Sequence, residues 1–126
     1  MPELAGKRIL LVEDEANSRE TMKRLLEGRN AYVRAVDSAA AARDAIATRR
    51  PQLLISDIGL PGEDGYALIR QVRSLSGAPI VALAVTAFAR AEDRQHVMAA
   101  GFDEHLSKPV DPDRLLTLAV RLLQRA

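Results

Sequence analysis

The sequence predicts an α/β fold in which one parallel five-stranded sheet is sandwiched between helices. Three observations predict it. Between Arg8 and Gln124, five short apolar runs alternate with five stretches of helical apolar spacing, the pattern of a sheet assembled from right-handed strand–helix–strand crossovers. The run Ile80, Val81, Ala82, Leu83, Ala84, Val85 is apolar throughout, as a strand covered on both faces requires. Three of the runs stop abruptly on polar groups, at Glu13 and Asp14, at Asp57 and at Thr86. In a parallel sheet those are the carboxyl ends, where ligands bind.

Each element has its own local reason. Arg8 to Val12 is an apolar strand that ends on Glu13, Asp14 and Glu15. From about Ala16 to Glu27, Met22, Leu25 and Leu26 fall at helical spacing, and Gly28 and Asn30 supply a stop. Tyr32 to Val36 is a second short strand. Asp37 or Ser38 caps an alanine-rich helix with Ala42, Ala45 and Ile46 as its buried stripe, ending before Pro51. Leu53, Leu54, Ile55 and Ser56 then deliver Asp57 to the sheet edge. The loop after it, Ile58 to Gly65, is rich in glycine and turn residues, so its backbone can pass close to a ligand. Asp64 caps a third helix with Leu68, Ile69, Val72 and Leu75 on one face, closed by Gly77 and Pro79. The helix from about Arg90 to Ala100 is weakly amphipathic, with Val97 and Met98 as its large anchors and Gly101 as its C-terminal cap. Phe102 to Leu106 is a short fifth strand. Asp111 caps the last helix, which has Pro112 in its first turn and Leu115, Leu116, Ala119, Leu122 and Leu123 as its stripe.

Composition narrows the function classes. The 126 residues suit one domain, here residues 1–126 with a core of about 7–124, able to bury a real core without staples. The formal charge of +1 is too balanced for a nucleic-acid binder that relies on a basic face. With no cysteine, neither a disulfide scaffold nor a thiolate metal site can form. No apolar run has the length of a signal peptide core or a membrane span, so the expectation is a cytoplasmic protein without direct membrane contact.

The strand ends carry the chemistry. Taken singly, each residue has a plain structural reading. Asp57 could cap a turn, Glu13 to Glu15 could serve a helix start, Thr86 could be an ordinary strand-end hydroxyl, and Lys108 a solvated lysine. His96, among charged residues on a helix, reads as surface. Together the strand-end residues form a constellation. Glu13, Asp14 and Asp57 would repel one another without a counter-charge, and a hard divalent cation such as Mg2+ relieves this with oxygen ligands. Lys108 adds a fixed positive charge and Thr86 a hydroxyl donor. Carboxylates, metal, lysine and hydroxyl describe a phosphoryl-transfer site with Asp57 as nucleophile, forming an acyl phosphate.

On these residues the chain resembles the receiver domains of two-component response regulators, over essentially Arg8 to Gln124. The resemblance implies a flavodoxin-like (βα)5 sandwich with strand order 2-1-3-4-5. It implies that Glu13 and Asp14 are the acidic pair, Asp57 the phosphoacceptor, Thr86 the switch hydroxyl, and Lys108 and Pro109 the lysine and its following proline, joined by a cis bond. Ala87 matches the small residue that leaves room for a phosphoryl group. Gly59 would lend its backbone carbonyl to Mg2+, held otherwise by Asp14, Asp57 and Glu13. Partners would be a sensor histidine kinase or a histidine phosphotransfer protein, docking near Asn17 to Met22 and the loop around Pro109. The side formed by the fourth helix and the last strand and helix would carry the response. There are three departures. Glu13 stands where Asp is commoner, His105 stands where a Tyr or Phe usually swings inward as a switch, and the sequence ends after the fifth helix, so that no output domain is expected. Residues Asp57 to Tyr66, Ala87 to Arg94 and Ala100 to Pro109 are worded like receivers at the C-terminus of hybrid sensor histidine kinases, so a free-standing receiver and an excised module both stay open.

Two other functions compete. A metal-dependent aspartyl-phosphate phosphatase or phosphotransferase acting on a small substrate would need a general acid beside Asp57, which Ile58 and Gly59 cannot supply. A dinucleotide site would need a glycine-rich loop where Glu13, Asp14 and Glu15 stand. The expectation is therefore a signalling module and not an enzyme.

Overall fold

The computed structural model describes residues 3–87 and 90–125; Phe88 and Ala89, within one of the stretches that carry the resemblance, lie outside the described residues. Ten elements alternate strictly: β1 (Arg8–Val12), α1 (Ala16–Glu27), β2 (Tyr32–Val36), α2 (Ala39–Thr48), β3 (Leu53–Asp57), α3 (Gly65–Arg73), β4 (Val81–Thr86), α4 (Ala91–Ala100), β5 (Glu104–Ser107) and α5 (Pro112–Arg125). All strand pairs are parallel, in the order β2-β1-β3-β4-β5.

Strand alternation divides the core in two. Ile9, Leu11, Leu53, Ile55, Leu83 and Val85 face α1 and α5, where they meet Met22, Leu26, Leu115, Leu118, Ala119 and Leu122. The intervening residues Leu10, Val12, Leu54, Ala82 and Ala84 face α2, α3 and α4, and meet Ala42, Ile46, Leu68, Ile69, Val72 and Val97. Every residue of β3 and β4 is buried. Full burial of one Leu or Ile side chain stabilises by roughly 1.5–3 kcal/mol, so an aliphatic core without Trp suffices.

Helix ends follow the local chemistry. Ser38 accepts the Ala41 N–H, Asp64 accepts the Ala67 N–H, and Asp111 accepts the Asp113 N–H at the head of α5. Gly101 ends α4 at φ 123°, a conformation that favours glycine.

Several side chains differ from the periodic reading. Leu75 lies beyond the end of α3 and is 46% exposed, because the helix stops at Arg73 and the chain turns away from the core. Met98 is 43% exposed, leaving Val97 as the buried residue of α4. Leu118 is fully buried while Leu116 is only partly so, since Leu118 lies three residues after Leu115 and four before Leu122 on one helical face. Strand β5 begins at Glu104, later than expected, because Asp103 is engaged otherwise: its carboxylate takes the Ala82 N–H and the Arg73 guanidinium. His96 is exposed as expected, and its ring stacks on Tyr66 with centroids 4.3 Å apart, tying α4 to α3.

Candidate functional site

Parallel pairing brings the strand ends together. In register, Val12 sits beside Ser56, Asp57 beside Val85, and Thr86 beside Ser107. The residues that follow each strand therefore share one edge. The Lys108 backbone N–H donates to the Thr86 carbonyl at 2.8 Å, and the Lys108–Pro109 bond is cis, as expected.

Asp57 is 6% exposed, with both oxygens held. Oδ1 accepts the Gly59 N–H at 3.1 Å and Oδ2 accepts the Lys108 ammonium at 2.6 Å. Lys108 also reaches Glu13 Oε1 at 3.0 Å. Glu13 is fully buried; its Oε2 accepts the Glu15 N–H, while Oε1 makes an ion pair with Lys108 and no aligned hydrogen bond. Asp14 is exposed beside them, and one carboxylate oxygen from each of Glu13, Asp14 and Asp57 lies within 4.8 Å of the others.

Electrostatics makes this cluster deficient in positive charge. Burial pushes the Glu13 carboxyl above its ordinary value, overriding the Glu15 N–H and the Lys108 ammonium, and the Asp57 charge pushes the same way. Burial also works against the Lys108 ammonium, yet its hydrogen bonds to Asp57 and Glu13 outweigh that and raise its pKa. Three carboxylates and one ammonium carry a formal charge of two negative, which one divalent cation neutralises. The donor set is hard oxygen, and Glu13 Oε1 is a buried acceptor without a hydrogen bond. Residues of this kind fit Mg2+.

Glu13, Asp14, Asp57 and Lys108 thus converge, with Gly59 bound to Asp57 through its N–H. Thr86 is buried at the neighbouring strand end. His105 is two strand residues further in, paired with Ala84, and its side chain is 22% exposed with a buried Nδ1 that lies 3.5 Å from Glu104 Oε1.

The plain reading of the first acidic stretch holds for Glu15. Its carboxylate caps α1 by accepting the Asn17 and Ser18 N–H groups, and these bonds, those from Ser18 foremost, hold its carboxyl below the ordinary value. Two features were not legible in sequence. Arg19 donates to backbone carbonyls of the acidic loop. Gly65 packs against the backbone of Asp57.

Comparison with known proteins agrees with this geometry. The family model described as response regulator receiver domain matches residues 9–120. An uncharacterized 14.6 kDa protein of Leptolyngbya boryana is 40% identical over 119 residues, covering 94% of this chain and 91% of that one. The sensor histidine kinase GacS of Pseudomonas protegens is 31% identical over 118 residues, covering 90% of this chain and 13% of the kinase. The chain spans about half the length of the matching transcriptional regulatory proteins. A crystal structure of a CheY-like response regulator receiver domain protein from Methanospirillum hungatei JF-1 superposes with a TM-score of 0.87 at 28% identity, covering 96% of each chain. With a family model across most of its length, a strand order of 2-1-3-4-5 and a carboxylate cluster at the carboxyl edge of the sheet, the chain belongs to the response regulator receiver domains, the phosphoacceptor modules of two-component signalling.

Proposed function

We propose that Asp57 accepts a phosphoryl group from the phosphohistidine of a histidine kinase or a histidine phosphotransfer protein. An Asp57 carboxylate oxygen attacks phosphorus, the phosphorus–nitrogen bond breaks, and the imidazole leaves with the bonding pair and takes a proton from water. The observation that carries this reading is the Asp57 carboxylate itself, buried, oriented by Gly59 N–H and bonded to Lys108 at 2.6 Å. Asp14, Asp57 and the Gly59 carbonyl, supported by Glu13, are the groups that would hold Mg2+. When bound, the ion supplies charge neutralisation for the transferring phosphoryl oxygens. Lys108 exchanges part of its carboxylate contact for those oxygens, and Thr86 donates its hydroxyl to them.

The donor docks in the groove of about 280 Å3 lined by Asn17, Ser18, Thr21, Met22, Pro109 and Val110, which opens beside Lys108. Incubation with acetyl phosphate and Mg2+ is expected to label the protein stoichiometrically and without turnover. Asp14→Ala should abolish the Mg2+ dependence. Thr21→Trp should slow transfer from a phosphorylated kinase at least about tenfold, through the blocked groove, and leave acetyl phosphate labelling intact. Repeated turnover of the small donor at a rate beyond that of phosphoprotein decay would favour a phosphatase instead.

Thr86 and His105 form the switch in this reading: as Thr86 moves toward the phosphoryl group, the imidazole turns into the space it leaves. The ring is already mostly buried, so the motion is a local repacking. Imidazole NMR signals are expected to shift on addition of beryllofluoride and Mg2+. An unchanged ring environment would confine the switch to Thr86 and α4. A cytoplasmic location accords with this role, and no helix among the described residues is long and apolar enough to cross a membrane.

A further inference from the structure

The geometry points to Arg19 as a positioning residue that sets the backbone of Asp14, an inference that rests on the Mg2+ reading above. Arg19 lies in the first turns of α1, and its Nη1 donates to the Glu13 carbonyl at 2.9 Å and, more weakly, to the Asp14 carbonyl at 3.4 Å. These oxygens belong to the two peptide groups on either side of the Asp14 Cα. Peptide groups are planar, so holding both oxygens fixes the φ and ψ of Asp14, and with them the direction of its Cα–Cβ bond.

The second of these peptides is also held at its other end, where the Glu15 N–H donates to Glu13 Oε2 at 3.2 Å, so Arg19 supplies the restraint on the carbonyl side. The Asp14 side chain accepts no hydrogen bond from the described residues and is exposed. The neighbours on either side are anchored elsewhere: the Glu13 N–H on the Val36 carbonyl at 3.0 Å, and the Glu15 carboxylate on the first turn of α1. Arg19 makes no ion pair among the described residues, so its guanidinium is committed to these carbonyls. A guanidinium suits two diverging acceptors better than an ammonium, because its donors are fixed in a rigid plane.

The sign of the effect separates positioning from charge. Removing a cation near an acidic cluster should by charge alone tighten Mg2+ binding. Loss of positioning should weaken it. Arg19→Ala is expected to weaken Mg2+ about fivefold, as loss of one hydrogen bond would, and Arg19→Lys, which keeps the charge but not the fork, is expected to fall between it and the wild type. Alanine is the best helix former, so α1 itself is not at risk. In the metal-free protein, the Glu15 amide, in the same peptide as the Asp14 carbonyl and bonded to Glu13 Oε2 at 3.2 Å, should exchange about fivefold faster in Arg19→Ala as that peptide loosens and its bond to Glu13 weakens, while amides of β3 are unchanged.

Mg2+ affinity measured by NMR titration and hydrogen exchange measured without metal answer different questions. Wild-type protein with no Mg2+ response at residues 13–15 and 57 would remove the metal reading, while the exchange result still judges Arg19. Mg2+ binding as tight or tighter in Arg19→Ala, or unchanged Glu15 exchange, would overturn the positioning role. Should Arg19→Ala fail to fold, Arg19→Lys and Arg19→Gln carry the same comparison.

Discussion

Asp57→Asn is expected to reduce phosphorylation by acetyl phosphate and Mg2+ to background, a loss of at least about a thousandfold for removal of a nucleophile. Asparagine has the same shape, and its amide oxygen can keep the Gly59 N–H bond that orients Oδ1. It lacks the anionic oxygen that attacks phosphorus. Its NH2 group, placed toward Lys108, also meets an ammonium that can only donate, so the 2.6 Å bond is lost and Lys108 retains Glu13 alone. Because the Asp57 charge is one of the influences raising the Glu13 pKa, that carboxyl returns toward its ordinary value in the variant. The fold should persist, because the substitution removes one of two carboxylates competing for a single ammonium. Intact-mass measurement with a circular dichroism control checks both halves. Label retained in Asp57→Asn, or phosphate on the wild type that resists hydroxylamine, would place the acceptor elsewhere.

Gly65→Ala is expected to be strongly destabilising. A Cβ on Gly65 would stand 2.5 Å from the Asp57 carbonyl oxygen and 2.9 Å from the Ile58 Cα, all of it backbone that cannot rotate aside. The N-terminus of α3 is meanwhile pinned, with Asp64 accepting the Ala67 N–H and the Gly65 N–H donating to the Ile58 carbonyl at 2.9 Å. Either α3 retreats and loosens Leu68 and Ile69, or the peptide after Asp57 is displaced. The expected cost is about 2–3 kcal/mol, a melting temperature lower by roughly 10 °C for a chain of this size, together with slower phosphorylation because the Asp57 side chain follows its backbone. Gly59→Ala, where nothing lies within 4 Å of the added Cβ, is the stability control and should change folding by less than about 0.5 kcal/mol. Equal melting temperatures for the two variants would show that the α3 start yields without penalty.

The alternation of elements was determined by sequence alone, because its cause is local. Apolar residues at a spacing of two or 3.6 and capping residues such as Ser38, Asp64 and Asp111 act within a few residues of themselves. The same holds for the edge on which Glu13, Asp14, Asp57, Thr86 and Lys108 gather, since parallel pairing puts every strand's carboxyl end on one side. Tertiary structure decided what those residues touch. That the longer Glu13 reaches Lys108, 95 positions away, depends on the order and register of β1, β3, β4 and β5 and on the turn at Pro109. Gly65 was legible only as a turn residue, yet its necessity is steric, arising from how closely α3 approaches the end of β3. Leu75 continued the helical period in sequence but falls past the end of α3, and Met98 lies within α4 and is still exposed, because a period does not say where a helix stops or whether another element covers its face. Arg19 had no local signal at all: an arginine on a helix reads as solvated until the backbone carbonyls it holds have been folded into its reach.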